Sequence, residues 1–147
     1  MTYNKKMICC PSDRNWTFWD FQYENGSNPI DDWYQQLSED ATFQLNALLK
    51  MNQKIELPMN WQGSRGFLSG KPRKERIWEL GFVADRKQYR LMGIFAELRK
   101  HAIFLVGCYH KGRVYTPPDA TQLAYERARL VKEKRAGYRE RKIENNI

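Results

Sequence analysis

Between Ile77 and Arg113 three apolar runs follow one another closely, and that spacing constrains the fold more than any other feature of the chain. Ile77 to Val83 and Tyr89 to Phe95 are separated by Ala84-Asp85-Arg86-Lys87-Gln88, a short polar connection that suits an antiparallel hairpin. The third run, Ala102 to Tyr109, carries no charge. It predicts a central strand covered on both faces, its length and its Ile, Phe, Val and Tyr content favouring a strand over a buried helix. Side chains alternate across a strand, so Arg90 shares a face with Met92 and Ile94, opposite Tyr89, Leu91 and Phe95. Glu79 is the one acid within these apolar strands. It needs a cation or solvent, and Arg90 is the obvious partner.

Upstream, the aromatic-rich segment Trp16 to Tyr23 predicts a first strand, ended by Glu24-Asn25-Gly26-Ser27-Asn28-Pro29, a strong turn signal. Asn28 is placed to cap a short helix over Ile30 to Leu37, with Asp31 and Asp32 in its first turn facing the positive end of the dipole. Ser38 predicts a second cap. Phe43, Ala47, Leu48 and Met51 recur at helical spacing, with Leu45 and Leu49 beside them, so Glu39 to Gln53 should be an amphipathic helix that forms a hairpin with the first. Residues 54–76 contain Pro58, Gly63, Gly66, Gly70 and Pro72 and read as loop. Thr116-Pro117-Pro118-Asp119 predicts the cap and first turn of a last helix. Ala120, Leu123, Ala124, Ala128 and Val131 carry that helix to about Arg135. The expectation is one α/β (α+β) domain over residues 15–136, with an antiparallel sheet of about four strands, an N-terminal helical hairpin and a C-terminal helix. Residues 1–14 read as a flexible extension and 137–147 as a basic, frayed tail.

At 147 residues the chain is long enough for one domain with a substantial core. Its net charge is +8, unevenly spread. Asp13 to Asp40 holds seven acidic residues and one basic, whereas Gly63 to Arg113 holds twelve basic and four acidic. Glu126 to Lys142 holds eight basic and three acidic. That bias suits a polyanionic partner, since each Lys or Arg placed on a phosphate releases condensed counterions; a solvated, solubilising surface is the plainer alternative. Cys9, Cys10 and Cys108 have neither metal-type spacing nor an even disulfide framework, so neither a metal nor another cofactor is expected. No run reaches the ~20 apolar residues of a membrane span. The start lacks a signal-peptide core. A cytoplasmic protein follows as the expectation.

His110, Lys111, Arg113 and Tyr115 crowd the end of the third predicted strand, and Arg90 reaches them if the two strands are neighbours. Cations and hydroxyls grouped in this way suit a phosphodiester, because RNA supplies its own 2′-hydroxyl nucleophile. The protein then needs to align it, stabilise charge on the phosphate and move a proton. Lys71, Arg73, Lys74 and Arg76 form a cationic run ahead of the second strand and are candidate RNA contacts. The structural alternatives are an Arg90–Glu79 ion pair, a turn role for His110 and solvated Lys111 and Arg113. His101 shows no metal-ligand spacing and reads as structural. Trp61, in the Gly-rich loop, is a candidate base-stacking platform.

The order of these features resembles the phage-derived, RelE/HigB-like branch of the RelE/ParE toxin superfamily of type II toxin–antitoxin systems. It is carried by the strand Trp16–Tyr23, the Asn-Gly-Ser-Asn-Pro turn, the helical hairpin, Trp78-Glu79-Leu80, Tyr89-Arg90, Tyr109-His110-Lys111 and Thr116-Pro117. The resemblance covers roughly residues 16–135. It implies a metal-independent mRNA endoribonuclease that acts on the translating ribosome and is held inactive by a cognate antitoxin, often of helix-turn-helix type. Arg90 corresponds to the arginine of the family's Tyr-Arg strand, Lys111 to the first lysine of its aromatic-x-Lys-Lys segment and Pro117 to the proline before its last helix. Gly81 stands where the family has arginine and Gly112 where it has a second lysine; Arg113 follows one position later. Two other functions fit the same sequence: a ParE-like toxin that poisons gyrase, and a phage-type protein that binds nucleic acid without cutting it. A shared fold does not separate them.

Overall fold

The computed structural model describes residues 15–68 and 75–144. Lys71, Arg73 and Lys74 of the predicted RNA-binding run, the extension 1–14 and residues 145–147 lie outside that description. Over the described residues the fold is α+β, with three α-helices and a seven-stranded, mostly antiparallel sheet. The strands are β1 (Thr17–Gln22), β2 (Ser64–Phe67), β3 (Trp78–Ala84), β4 (Lys87–Ala96), β5 (His101–Lys111), β6 (Val114–Thr116) and β7 (Gly137–Arg141). The helices are α1 (Pro29–Gln35), α2 (Glu39–Asn52) and α3 (Ala120–Lys132). The sheet order is β2-β3-β4-β5-β1-β7, with β6 also paired to β5.

The predicted meander is β3-β4-β5. Asp85 and Arg86 form the tight turn between β3 and β4, both at positive φ, as a two-residue hairpin of matching twist requires. The uncharged run occupies β5, hydrogen-bonded to β4 on one side and to β1, in parallel, on the other. A β-bulge interrupts the β4–β5 register at Met92/Gly93. Arg127 of α3 donates through Nη1 to the Leu105 carbonyl at 2.8 Å, and through Nε to the Tyr23 hydroxyl. One core cluster, including Phe18, Ile30, Leu45, Leu49, Trp78, Leu80, Leu91 and Phe104, lies under α1 and α2. The other, including Phe21, Ile77, Met92, Ile103 and Leu105, packs against Ala120, Ala124 and Ala128 of α3.

Several expectations need correction. The sheet has seven strands rather than about four, because β2, β6 and β7 are short and carry no apolar alternation that marks them in sequence. Segment 54–76, read as loop, contains β2. Trp61 is not a stacking platform: it is 3 % exposed, its Nε1 donates to the Ile55 carbonyl at 2.8 Å, and its ring meets Trp16 and Trp78 edge to face. Such edge-to-face geometry aligns the positive ring edge with the negative face. The last helix starts at Ala120, three residues later than a cap at Thr116 predicts; Thr116 ends β6, and its bond to Pro117 is cis. In α2 the buried stripe is Ala41, Leu45, Leu48 and Leu49, whereas Phe43 and Met51, expected on it, are 48 % and 55 % exposed. Asn28 and Ser38 cap α1 and α2 as expected, accepting from the backbone N–H of Asp31 and Ala41.

The largest correction concerns the tail. Gly137 to Arg141 pairs antiparallel with β1 along its whole length. Arg141 lies almost buried, with Nε and Nη2 on the two carboxylate oxygens of Asp20 at 2.8 and 2.7 Å. Nη2 also reaches Asp31 at 2.8 Å, and the guanidinium stacks on Tyr34. The acidic N-terminal segment and the basic C-terminal segment thus partly neutralise each other inside one domain.

His101 lies with its ring 4.5 Å from that of Trp19 and its buried Nδ1 unpartnered among the described residues. Burial, and then the Arg99 charge, hold its pKa below the usual value. The folded state therefore binds fewer protons at this site than the unfolded chain. Its contribution to stability is complete above the ordinary histidine pKa and is lost as pH falls through the lowered one. Two predictions follow from these buried groups. Arg141→Met leaves Asp20 buried without its cation and should cost about 3 kcal/mol or more in urea unfolding, with truncation before Gly137 at least as damaging. His101→Phe should flatten the decline of the unfolding midpoint between about pH 7 and 5.

Candidate functional site

Arg90 leaves the middle of β4 on the α3 side of the sheet and is only 6 % exposed. A guanidinium so placed must spend its donors on the protein. Nη1 donates to its neighbour's carbonyl, Tyr89 O, at 3.1 Å, and Nη2 to Gln88 Oε1 at 2.9 Å. Nε lies 4.0 Å from Glu79 Oε2, two residues along β3 from Gly81, the pairing partner of Arg90, and on the same face. The ion pair anticipated from sequence is therefore present, inside the sheet and not on its edge. Tyr115, from β6, donates its hydroxyl to the same Glu79 oxygen at 2.7 Å. Burial first, and then the Glu79 hydrogen bond and charge, push the tyrosine pKa well up. At neutral pH this hydroxyl is a committed donor and no base.

His110 pairs with Tyr115 across the β5–β6 ladder and with Gln88 across the β4–β5 ladder. Its ring is 4.9 Å from the Tyr115 ring, and it is half-buried. Cys108, opposite Arg90 on β5, is fully buried, and burial, with Glu79 adding, pushes its thiol up to about 12. It holds no thiolate at physiological pH and fills space beside the ion pair.

Sheet alternation divides the remaining predicted residues. Lys111 follows Tyr109 two residues on, and Tyr109 packs with the α1/α2 cluster under the Lys87 ammonium. Lys111 therefore leaves the sheet on the side opposite Arg90, exposed. Arg113 is exposed in the two-residue turn between β5 and β6, after Gly112. Gly112 has φ +63, and glycine takes that conformation without the steric cost a lysine would meet. Arg76 is exposed, with its guanidinium 4.2 Å above the Phe67 ring, away from the Arg90 cluster. Arg90, His110 and Tyr115 are thus together, Arg113 borders them, and Lys111 and Arg76 do not join them.

One residue that the sequence reading missed does join them. Gly81 pairs with Arg90, and a Cβ at Gly81 would sit 2.7 Å from Arg90 Nη1 and 3.4 Å from the Arg65 Cδ. Arg65 comes from β2, at the register shift between Ser64 and Gly66, where a bulge re-aims a side chain. The strands are tight here: Gly81 N donates to Gly63 O at 2.7 Å, and a Cβ at Gly63 would lie 2.3 Å from Gly81 O. The signal in sequence was the Gly63-Ser64-Arg65-Gly66 run, which a strand-bulge reading would have caught.

Compared with protein-family models, curated proteins and solved structures, the chain matches none of them. Among the described residues no three His, Cys, Asp or Glu side chains group as metal ligands, and no helix is long and apolar enough to cross a membrane. The geometry yields a direct check. Tyr115→Phe removes a hydrogen bond to a buried carboxylate and should lower stability by about 1.5–3 kcal/mol, read from the urea midpoint, while the fold by circular dichroism stays unchanged.

Proposed function

We propose that this protein is a RelE/HigB-like toxin of a type II toxin–antitoxin pair, an endoribonuclease that cuts mRNA on the ribosome. The observation that carries this reading is the cluster of Arg90, His110 and Tyr115 on three hydrogen-bonded strands. It sets a fixed cation beside a half-buried imidazole, at the end of the sheet where Arg113 is exposed. In such a reaction the 2′-oxygen of one nucleotide attacks the adjacent phosphorus and the bond to the 5′-oxygen breaks, leaving a cyclic phosphate and a free 5′-hydroxyl. His110 is the group placed to take the 2′-proton, since the Tyr115 hydroxyl is already donated to Glu79. Arginine near the phosphate stabilises the charge that grows there. The resemblance of residues 16–135 to the family supports the same assignment, with a cognate antitoxin of helix-turn-helix type as partner and the cytoplasm as the compartment.

A second reading is favoured by one specific feature. Arg90 is almost buried and engaged by Glu79, Gln88 and the Tyr89 carbonyl, which withdraws its donors from a scissile phosphate and favours a protein that binds a nucleic acid without cutting it.

Expression alone should arrest growth of translating cells and leave ribosome-bound messages cut, and co-expression of the adjacent small gene should restore growth. Arg90→Lys, which keeps a cation beside Glu79, should fold yet lower the cleavage rate by ~10²-fold. A folded Arg90→Lys protein with the wild-type rate removes Arg90 from the reaction. A wild type that neither arrests growth nor cuts transfers the assignment to the binding protein.

A further inference from the structure

Resting on the RNA-directed reading, we infer that Arg65 is the residue that meets the RNA phosphate, with Arg90 as the fixed cation behind it. Arg90 is 6 % exposed and uses Nη1 and Nη2 on Tyr89 O and Gln88 Oε1, so a polymer cannot reach it on its own. Arg65 is exposed and has no hydrogen bond or ion pair among the described residues. Its side chain passes 3.4 Å from the position a Gly81 Cβ would take, and Arg90 Nη1 lies 2.7 Å from the same position. The two guanidinium-bearing chains therefore converge over one glycine, on the same side of the sheet.

The local charge explains what such a convergence is for. Among the described residues Glu79 is the carboxylate paired with Arg90, at 4.0 Å, and it also accepts the Tyr115 hydroxyl, whereas Arg65 has no carboxylate paired with it. Glu79 offsets one positive charge and leaves one. An anion set between the arginines relieves their repulsion and takes up the open donors of Arg65, whose planar fork matches two phosphate oxygens. Three backbone features hold this geometry: the bulge at Arg65, the missing side chain at Gly81 and the Gly63–Gly81 contact. An arginine side chain at position 81 would collide with Arg90, so the neighbouring strand supplies the second cation.

The test uses a single-stranded RNA oligonucleotide with 2′-O-methyl groups, which binds but cannot be cut, measured by fluorescence anisotropy over a salt series. Arg65→Ala should raise Kd about tenfold at low salt and lower the slope of log K against log salt by ~0.7, the value for one phosphate contact on a single strand. Arg65→Lys should recover most of the slope but not all of the affinity. An Arg65→Ala protein with wild-type Kd and slope overturns the assignment, even if the wild type cuts mRNA. The predicted losses in a protein that cuts no ribosome-bound message would keep the Arg65 contact and reject the endoribonuclease. Absence of RNA binding by the wild type would overturn the Arg65 contact, and the cutting of ribosome-bound messages then decides the endoribonuclease separately.

Discussion

A charged guanidinium placed inside an apolar sheet has to be paired and hydrogen-bonded, and the arrangement around Arg90 follows from that requirement. Glu79 supplies the countercharge, Gln88 and the Tyr89 carbonyl take the donors, and Tyr115 donates to the Glu79 oxygen that Arg90 faces. Each partner comes from a different place: Glu79 from β3, Gln88 from β4 itself and Tyr115 from β6. The short strand β6 thus does more than extend the sheet, because it closes the hydrogen-bonding of a buried acid. Gly81 belongs to the same set, since any side chain there would displace Arg90.

The same physics operates at the other end of the molecule with a different outcome. Arg141 is buried against Asp20 and Asp31 and stacked on Tyr34, with its donors directed to carboxylates. That cation is structural: it ties β7 to β1 and to the start of α1. The contrast decides how the charge bias of the chain should be read. Part of the basic C-terminal segment neutralises the acidic N-terminal segment internally, while Arg65, Arg113 and Lys111 remain at the surface. Total charge therefore overstates what is left for a polyanion, and position states it better.

The meander, the two N-terminal helix caps and the burial of the uncharged strand could all be read directly from the chain. They depend on local signals: apolar runs of strand length, Asn28 and Ser38 placed to accept from the first helical turn, and a short polar connection at Asp85-Arg86. The phase of α2 was not legible, because Phe43, Ala47 and Met51 also recur at helical spacing and the choice between two apolar stripes is made by the sheet they meet. Trp61 was misread for a related reason. A tryptophan among glycines looks exposed until Trp16, Trp78 and the Ile55 carbonyl are brought around it.

The candidate site divides along the same line. Sequence by itself determined that Arg90 and Glu79 lie on neighbouring strands of an apolar sheet, since alternation and hairpin spacing fix which residues share a face over a few positions. It also grouped His110, Lys111, Arg113 and Tyr115 near one strand end. Tertiary structure alone decided that Lys111 leaves by the opposite face, that Tyr115 is committed to Glu79 and that the supposed tail is a strand. It alone placed Arg65 beside Arg90. The physical reason is range: a turn or a cap is settled by residues a few positions apart, whereas Arg65 and Gly81, or Asp20 and Arg141, meet only after the sheet has assembled.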